Sequence, residues 1–250
     1  MTPEPVHGSL TGNAAAAHHS AENPTGLTAQ PGNLQGTATL VIQTRQAQRL
    51  LRGRAPREGK ARMVGLPHFS GLMRAIWVAA SQDDPYADGY LVQVQDGIEQ
   101  AHAELGRWLH QLQERLQSVP GLEIQIAQSA SPVRVPLRFA TPYGYMGAYL
   151  IADYDQLVRA VLTAQHVGVL SRDAGEELSR RGARRVRRVF TTPLGWKPLA
   201  ITREEARTNT PRAQRARDQM GELPADILAG TRRARLAPIL RKSSPPEGSW

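Results

Sequence analysis

Cysteine is absent from the 250 residues. That removes disulfide bonds, a thiolate nucleophile and the cysteine ligands of the commonest zinc sites, and it fits a reducing compartment. Lysine is nearly absent too: of 31 basic residues only Lys60, Lys197 and Lys242 are lysine, so the cationic chemistry belongs to arginine. No stretch approaches the roughly 18 consecutive apolar residues of a membrane span. The opening "MTPEPVHGSLTGNAAAAHH" has no basic region followed by an apolar run. The expectation is a cytoplasmic protein without a membrane partner. Catalytic signatures are missing as well: there is no Gly-x-Ser-x-Gly elbow, zinc-protease helix or nucleotide fingerprint. We therefore expect no enzyme, no cofactor and no metal.

Positive charge is what the chain has in excess. The net charge is +9, and arginine's planar fork suits phosphate, so a polyanion is the expected partner. A hydrophobic content of 40% supports a core. Residues 1–35 are Gly-, Ala-, Pro- and Asn-rich without period and read as a disordered arm; deleting residues 1–34 should leave thermal stability almost unchanged. From residue 230 the tail "TRRARLAPILRKSSPPEGSW" reads as basic and disordered. Between them, 36–229 reads as a single α+β, mainly helical domain.

Within that domain "TATLVIQTR" alternates as a strand over Thr37 to Arg45, with Ala38, Leu40 and Ile42 on one face and Thr39, Val41, Gln43 and Arg45 on the other. "RQAQRLLR" is a short helix ending at Gly53. "LPHFSGLMRAIWVAAS" resumes helical spacing, and Asp83 and Asp84 before Pro85 cap the longest helix, to about Ser118. Its seam of Leu91, Val94, Ile98, Ala101, Leu105, Trp108 and Leu112 suits other helices or a second chain. "LEIQIAQ" and "VRVPLRF", separated by "SASP", alternate like a β-hairpin over Leu122 to Phe139, with Pro136 at an edge or bulge. A helix from about Gly147 to His166 buries Leu150, Leu157, Val161 and Leu162. An arginine-rich helix begins near Arg172, and Thr202 with Glu205 forms a capping box before a polar last helix.

Several tempting sites resolve into ordinary ones. "GRAPREGKA" resembles a phosphate loop, but five residues separate Gly53 from Gly59, and Ala61 stands where a hydroxyl must hold magnesium. Glu99 and His102 match half of a di-iron pair, and no second copy exists. His18 and His19 lack positioned partners. Asp83, Asp84 and Asp88 read as helix capping, and Asp153 and Asp155 as solvent-exposed.

The arginine helix stands apart. Arg180, Arg181, Arg184, Arg185, Arg187 and Arg188 surround an apolar stripe of Leu178, Gly182, Val186 and Val189. Asp173, Glu176 and Glu177 lie at its start, where they suit the helix dipole. Charges this dense repel unless a counter-charge arrives, so these six are the candidate phosphate contacts. Aromatic anchors for a membrane surface are lacking apart from Phe190. On the strand, Thr39, Gln43 and Arg45 are the candidate base readers, with the apolar face closing a dimer core, as in β-ribbon readers of the major groove.

Taken together, "TLVIQTRQAQRLLRGR", "GLPHFSGLMRAIW", "DDPYAD", "PVRVPLRFATPYGYMGAYLIADYDQLVRAVLTAQHVGVL", "RRVRRVF" and "GWKPLAITREEAR" resemble a family of integrating conjugative element proteins, from about Thr37 to about Gly230. The family is similar to the AcaB-type transcriptional activators of conjugative plasmids. The resemblance implies a ribbon-helix-helix-like element over 36–82, in the order strand, helix, helix, followed by a helical domain with a β-hairpin. It implies a homodimer on double-stranded DNA that regulates transfer genes, and it carries no catalytic residue. The alternative is a relaxosome or transfer-apparatus scaffold acting through contacts with conjugation proteins.

Overall fold

The computed structural model describes residues 38–241 apart from Arg57 and Lys60, so the N-terminal arm lies outside the described residues. Strand β1 (Ala38–Ile42) leads into helix α1 (Arg45–Arg52), α2 (Leu66–Ser81) and α3 (Pro85–Gln117). Strand β2 (Val133–Leu137) precedes α4 (Pro142–His166) and α5 (Arg172–Thr191). After a 3₁₀ turn at Thr192–Gly195 come α6 (Arg203–Arg207), α7 (Pro211–Met220) and α8 (Ala225–Ala229). The architecture is α+β and mainly helical, as the alternations in period foretold.

Helix α4 is the hub, packing against α1, α2, α3, α5 and β1. Its Tyr143, Leu150, Ile151, Leu157 and Val161 are buried, with Leu162 instead 45% exposed. It starts at Pro142 rather than near Gly147, because proline's fixed φ suits the first turn. Phe69 of α2 stacks on Phe190 of α5 with ring centroids 4.6 Å apart, closing the core between them. The apolar seam of α3 is spent inside the chain, on α2, α4 and α5, and Leu91, Val94, Leu105 and Leu112 are buried there.

The expected hairpin over Leu122 to Phe139 does not form. Its second half, β2, pairs antiparallel with β1, Ala38 facing Leu137 and Ile42 facing Val133. The first half keeps the side-chain alternation, Ile124 and Ile126 packing against the core, but its backbone bonds to side chains. Ala127 N–H donates to Thr163 Oγ1 (2.9 Å), Arg159 donates to Ala127 O (2.9 Å), and Ser129 N–H donates to Gln43 Oε1 (2.9 Å). Alternation records which face is buried and carries no information on which strand is the partner. Two grounds for expecting a dimer thereby fall away: β1 has a partner within its own chain, and so does the α3 seam.

The tail expected to be disordered from residue 230 is docked as far as Arg241. Trp77 Nε1 donates to Leu236 O (3.1 Å), Arg241 N–H to Ser81 O (2.8 Å), and Arg235 N–H to Gln95 Oε1 (2.8 Å). The anchor is Asp88, fully buried in the first turn of α3. Its carboxylate accepts from Arg233 Nε at 3.0 and 2.9 Å and from Arg203 Nη2 at 2.6 Å, while Arg203 Nη1 also pairs with Asp83. Asp88 is thus an internal counter-ion rather than a cap, and the tail's basic composition is partly its complement.

Candidate nucleic-acid interface

Helix α5 opens on Ser171, whose hydroxyl accepts from Ala174 N–H, and buries Gly182, Val186, Val189 and Phe190. Gly182 lies so close to α3 and α4 that a Cβ there would stand 3.0 Å from the Tyr154 ring and 3.2 Å from Leu105. Close approach of this kind turns the arginines outward. Four of the six then find partners. Arg184 Nη2 donates to Glu177 Oε1 (2.6 Å), Arg180 lies 3.5 and 3.6 Å from Glu176 and Glu177, and Arg185 pairs with Glu104 of α3. Arg181 lies over the Trp108 ring, 4.8 Å from its centroid. The hydrogen bond from Arg184 holds the Glu177 carboxyl below its ordinary range. Among the described residues Arg187 and Arg188 have no anionic partner.

Local charge on α5 is therefore better compensated than the helix alone suggests, since Glu104 arrives from α3 and Glu176 and Glu177 reach one or two turns onward. Ion pairs as exposed as those of Arg180 and Arg184 with Glu177 are weak in water, so a phosphate can displace them at small cost.

A second basic element approaches α5 from the N-terminal part of the chain. Thr44 caps α1: its hydroxyl accepts from Ala47 N–H (3.2 Å) and donates to Asp155 Oδ1 (2.7 Å). Asp155 also accepts from Thr44 N–H (2.8 Å) and Gln43 N–H (3.0 Å). This carboxylate, expected in solvent, is 3% exposed and fixes the start of α1 to α4. Arg45, Arg49 and Arg52 follow at spacings of four and three, exposed along one face of α1. Beyond them the chain crosses itself at Gly53 and Gly65. An added Cβ at Gly53 would lie 2.5 Å from Gly65 N, and Gly53 adopts φ +69°, so glycine is required twice over.

Between α1 and α5 lies a cleft of about 560 Å³, with Arg49 and Arg54 on one side, Arg172, Arg180 and Arg187 on the other, and Tyr154 and Leu162 among its lining. Burial pushes the Tyr154 phenol up to about 12, with the nearby Arg187 and Arg49 charges pulling the other way. Its hydroxyl donates to Ser179 O at 3.2 Å; Glu176, also in the lining, pairs with Arg172 and Arg180, and Arg54 donates to Ala61 O, so among the described residues Arg49 and Arg187 are the cleft arginines whose side chains have no partner.

The candidate base readers separate. Thr39 is exposed on β1 opposite Pro136. The strand ends at Ile42, so Gln43 lies beyond it with its side-chain oxygen committed to Ser129, and Arg45 belongs to α1. The strand-borne reading face expected over Thr37 to Arg45 is broken by the Thr44 cap. The cleft gathers only Arg180 and Arg187 of the six phosphate candidates and adds Arg49, Arg54 and Arg172. The regular arginine spacing on α1 was the available signal for Arg49. Nothing local foretold that α1 would face α5.

No group of three or more metal-ligating side chains occurs among the described residues, and none of their helices is long and apolar enough to cross a membrane. His102, half of the di-iron motif, lies with Nδ1 2.6 Å from Asp153 Oδ2.

A helical α+β protein that gathers arginines from two distant elements into one cleft has the makings of a regulator that meets a polyanion. The comparison of families agrees: the model described as transcriptional regulator AcaB matches residues 30–241, and the chain belongs to that family. The crystal structure of selenomethionine-containing AcaB from uropathogenic E. coli shares the fold, with a TM-score of 0.56, 16% identity, and coverage of 79% of this chain and 98% of that one. No curated protein matches the sequence.

Proposed function

We propose that this transcriptional regulator binds double-stranded DNA through the α1–α5 cleft and controls transfer genes of an integrating conjugative element from the cytoplasm. The observation that carries the reading is the convergence of Arg49 and Arg54 with Arg180 and Arg187 across one cleft. Guanidinium groups held by separate rigid helices offer a phosphate backbone several contacts at fixed spacing, which positions a duplex without reading its sequence. Arg188, Arg45 and Arg52 extend the basic surface on either side. Base reading falls to Arg45 and Thr39, both exposed, with Gln43 contributing only by giving up its bond to Ser129.

Fluorescence anisotropy with a labelled duplex, repeated over a salt series, tests this. Arg49→Gln combined with Arg187→Gln should weaken binding to every duplex alike and lower the salt slope by roughly 0.9 per lost phosphate contact. Unchanged binding with loss of a conjugation protein in a pull-down would replace DNA binding by the scaffold reading.

A further inference from the structure

A second cavity, of about 500 Å³, lies on a different face from the arginine cleft, between the outer side of α2 and the irregular segment after the 3₁₀ turn. Its walls are Gly71, Ala75, Val78 and Ala79 of α2 with Trp196 and Ile201 opposite, and Asp84 lies among the lining. Small residues on α2 leave the space open, and Val78 stays 39% exposed although apolar.

Two buried polar groups here have bonding capacity to spare. Asp84 is 3% exposed, and both bonds that it accepts, from Tyr86 N–H (2.9 Å) and Ala87 N–H (3.0 Å), go to Oδ1. Among the described residues Oδ2 accepts none. Trp196 is 9% exposed, and its indole N–H is buried without a partner. The two differ in access: the Trp196 N–H is shut off from solvent, whereas Asp84 Oδ2 is not among the buried atoms left without a partner and stays open to a ligand, so the carboxylate oxygen is the polar group that an occupant of this mostly apolar cavity would meet.

We infer that this cavity is a binding site for a small organic amine, its hydrocarbon body held between Ala75, Val78, Trp196 and Ile201 and its protonated nitrogen paired with Asp84 Oδ2. The charge decides the class: Asp84 is the buried ion of the cavity, whereas Arg74, the cation among the lining, is exposed on the surface of α2 and screened by water. The volume is that of ordinary small-molecule sites, which combine apolar walls with one or two fixed polar groups. Occupancy would bridge α2 and the segment leading into Arg203. The site stands apart from the DNA reading and survives its failure.

The test is calorimetry on the full chain at neutral pH with phenylpropylamine, beside phenylpropanol and phenylpropionate as neutral and anionic counterparts of similar shape. The amine should bind saturably at millimolar concentration or below and raise the melting temperature. Asp84→Asn keeps an oxygen for the helix cap and should weaken the amine by about tenfold or more without strengthening the alcohol. Ala75→Phe, on the exposed side of α2, should fill the cavity and abolish binding while circular dichroism and DNA affinity stay as in the parent. No saturable binding of the amine, equal binding of all three compounds, or amine binding that survives both substitutions overturns the inference.

Discussion

Three buried carboxylates do most of the structural work that single residues do in this protein. Asp155 gathers Gln43 and Thr44, Asp84 caps α3, and Asp88 receives two arginines. Replacing Asp88 with Asn leaves Arg203 with Asp83 as its one carboxylate partner and the partly buried Arg233 with none, and should cost about 3–5 kcal/mol, measured by urea unfolding. Asp84 carries a pH signature. Burial raises its carboxyl from 3.8 to about 6, against the two backbone N–H groups and with a smaller rise from Asp88. A folded value above the unfolded one means that its contribution to stability is full in acid and is lost as pH rises through about 6. The stability of Asp84→Asn relative to the parent should therefore increase between pH 4 and pH 7, by up to about 3 kcal/mol. A constant difference across that range would show that Asp84 titrates normally. The Asp84 cap was legible in the sequence because proline follows it. Asp155 was not, because its donors lie more than a hundred residues upstream.

Among the elements, helices with their own period and caps were read correctly: α1, α2, α3 and α5 begin within a residue of their expected starts. What failed was pairing. β2 was recognised as a strand and joined to the wrong neighbour, and α6 was taken for the last helix although α7 and α8 follow it, because the Thr202–Glu205 capping box marks where a helix starts and says nothing of what comes after it. The arginines of α5 were legible as a group, but their division into paired and unpaired members depends on Glu104 and Trp108, which α3 supplies. That division predicts unequal roles. Arg187→Gln should lower DNA affinity more than Arg184→Gln, because Arg184 must first leave Glu177 whereas Arg187 has no such rival. Equal losses in a filter-binding or anisotropy assay would mean that the ion pair with Glu177 has no hold on Arg184 in solution.

For the molecule as a whole, the domain runs to Arg241 rather than stopping at residue 229, and the family match ends at the same residue. Truncation after Gly230 should consequently lower the melting temperature sharply, by an amount comparable to Asp88→Asn, since it removes Arg233. An unchanged melting temperature would show that the tail's contacts contribute nothing. We also propose a dimer, formed through one of the two outer edges of the β1–β2 sheet, neither of which has a partner strand among the described residues; sedimentation equilibrium showing only monomer at micromolar concentration would exclude it.

The Asp88 clamp also gives synthesis a direction. Asp88 leaves the ribosome 145 residues before Arg233 does, and during that interval, at roughly 5–20 residues per second, its pocket holds a carboxylate whose full complement does not yet exist. Until Arg233 is made, the first turn of α3 has Arg203 alone to neutralise Asp88. Limited proteolysis should accordingly cut a chain that stops after Gly230 at the junction of α2 and α3 sooner than it cuts the full chain.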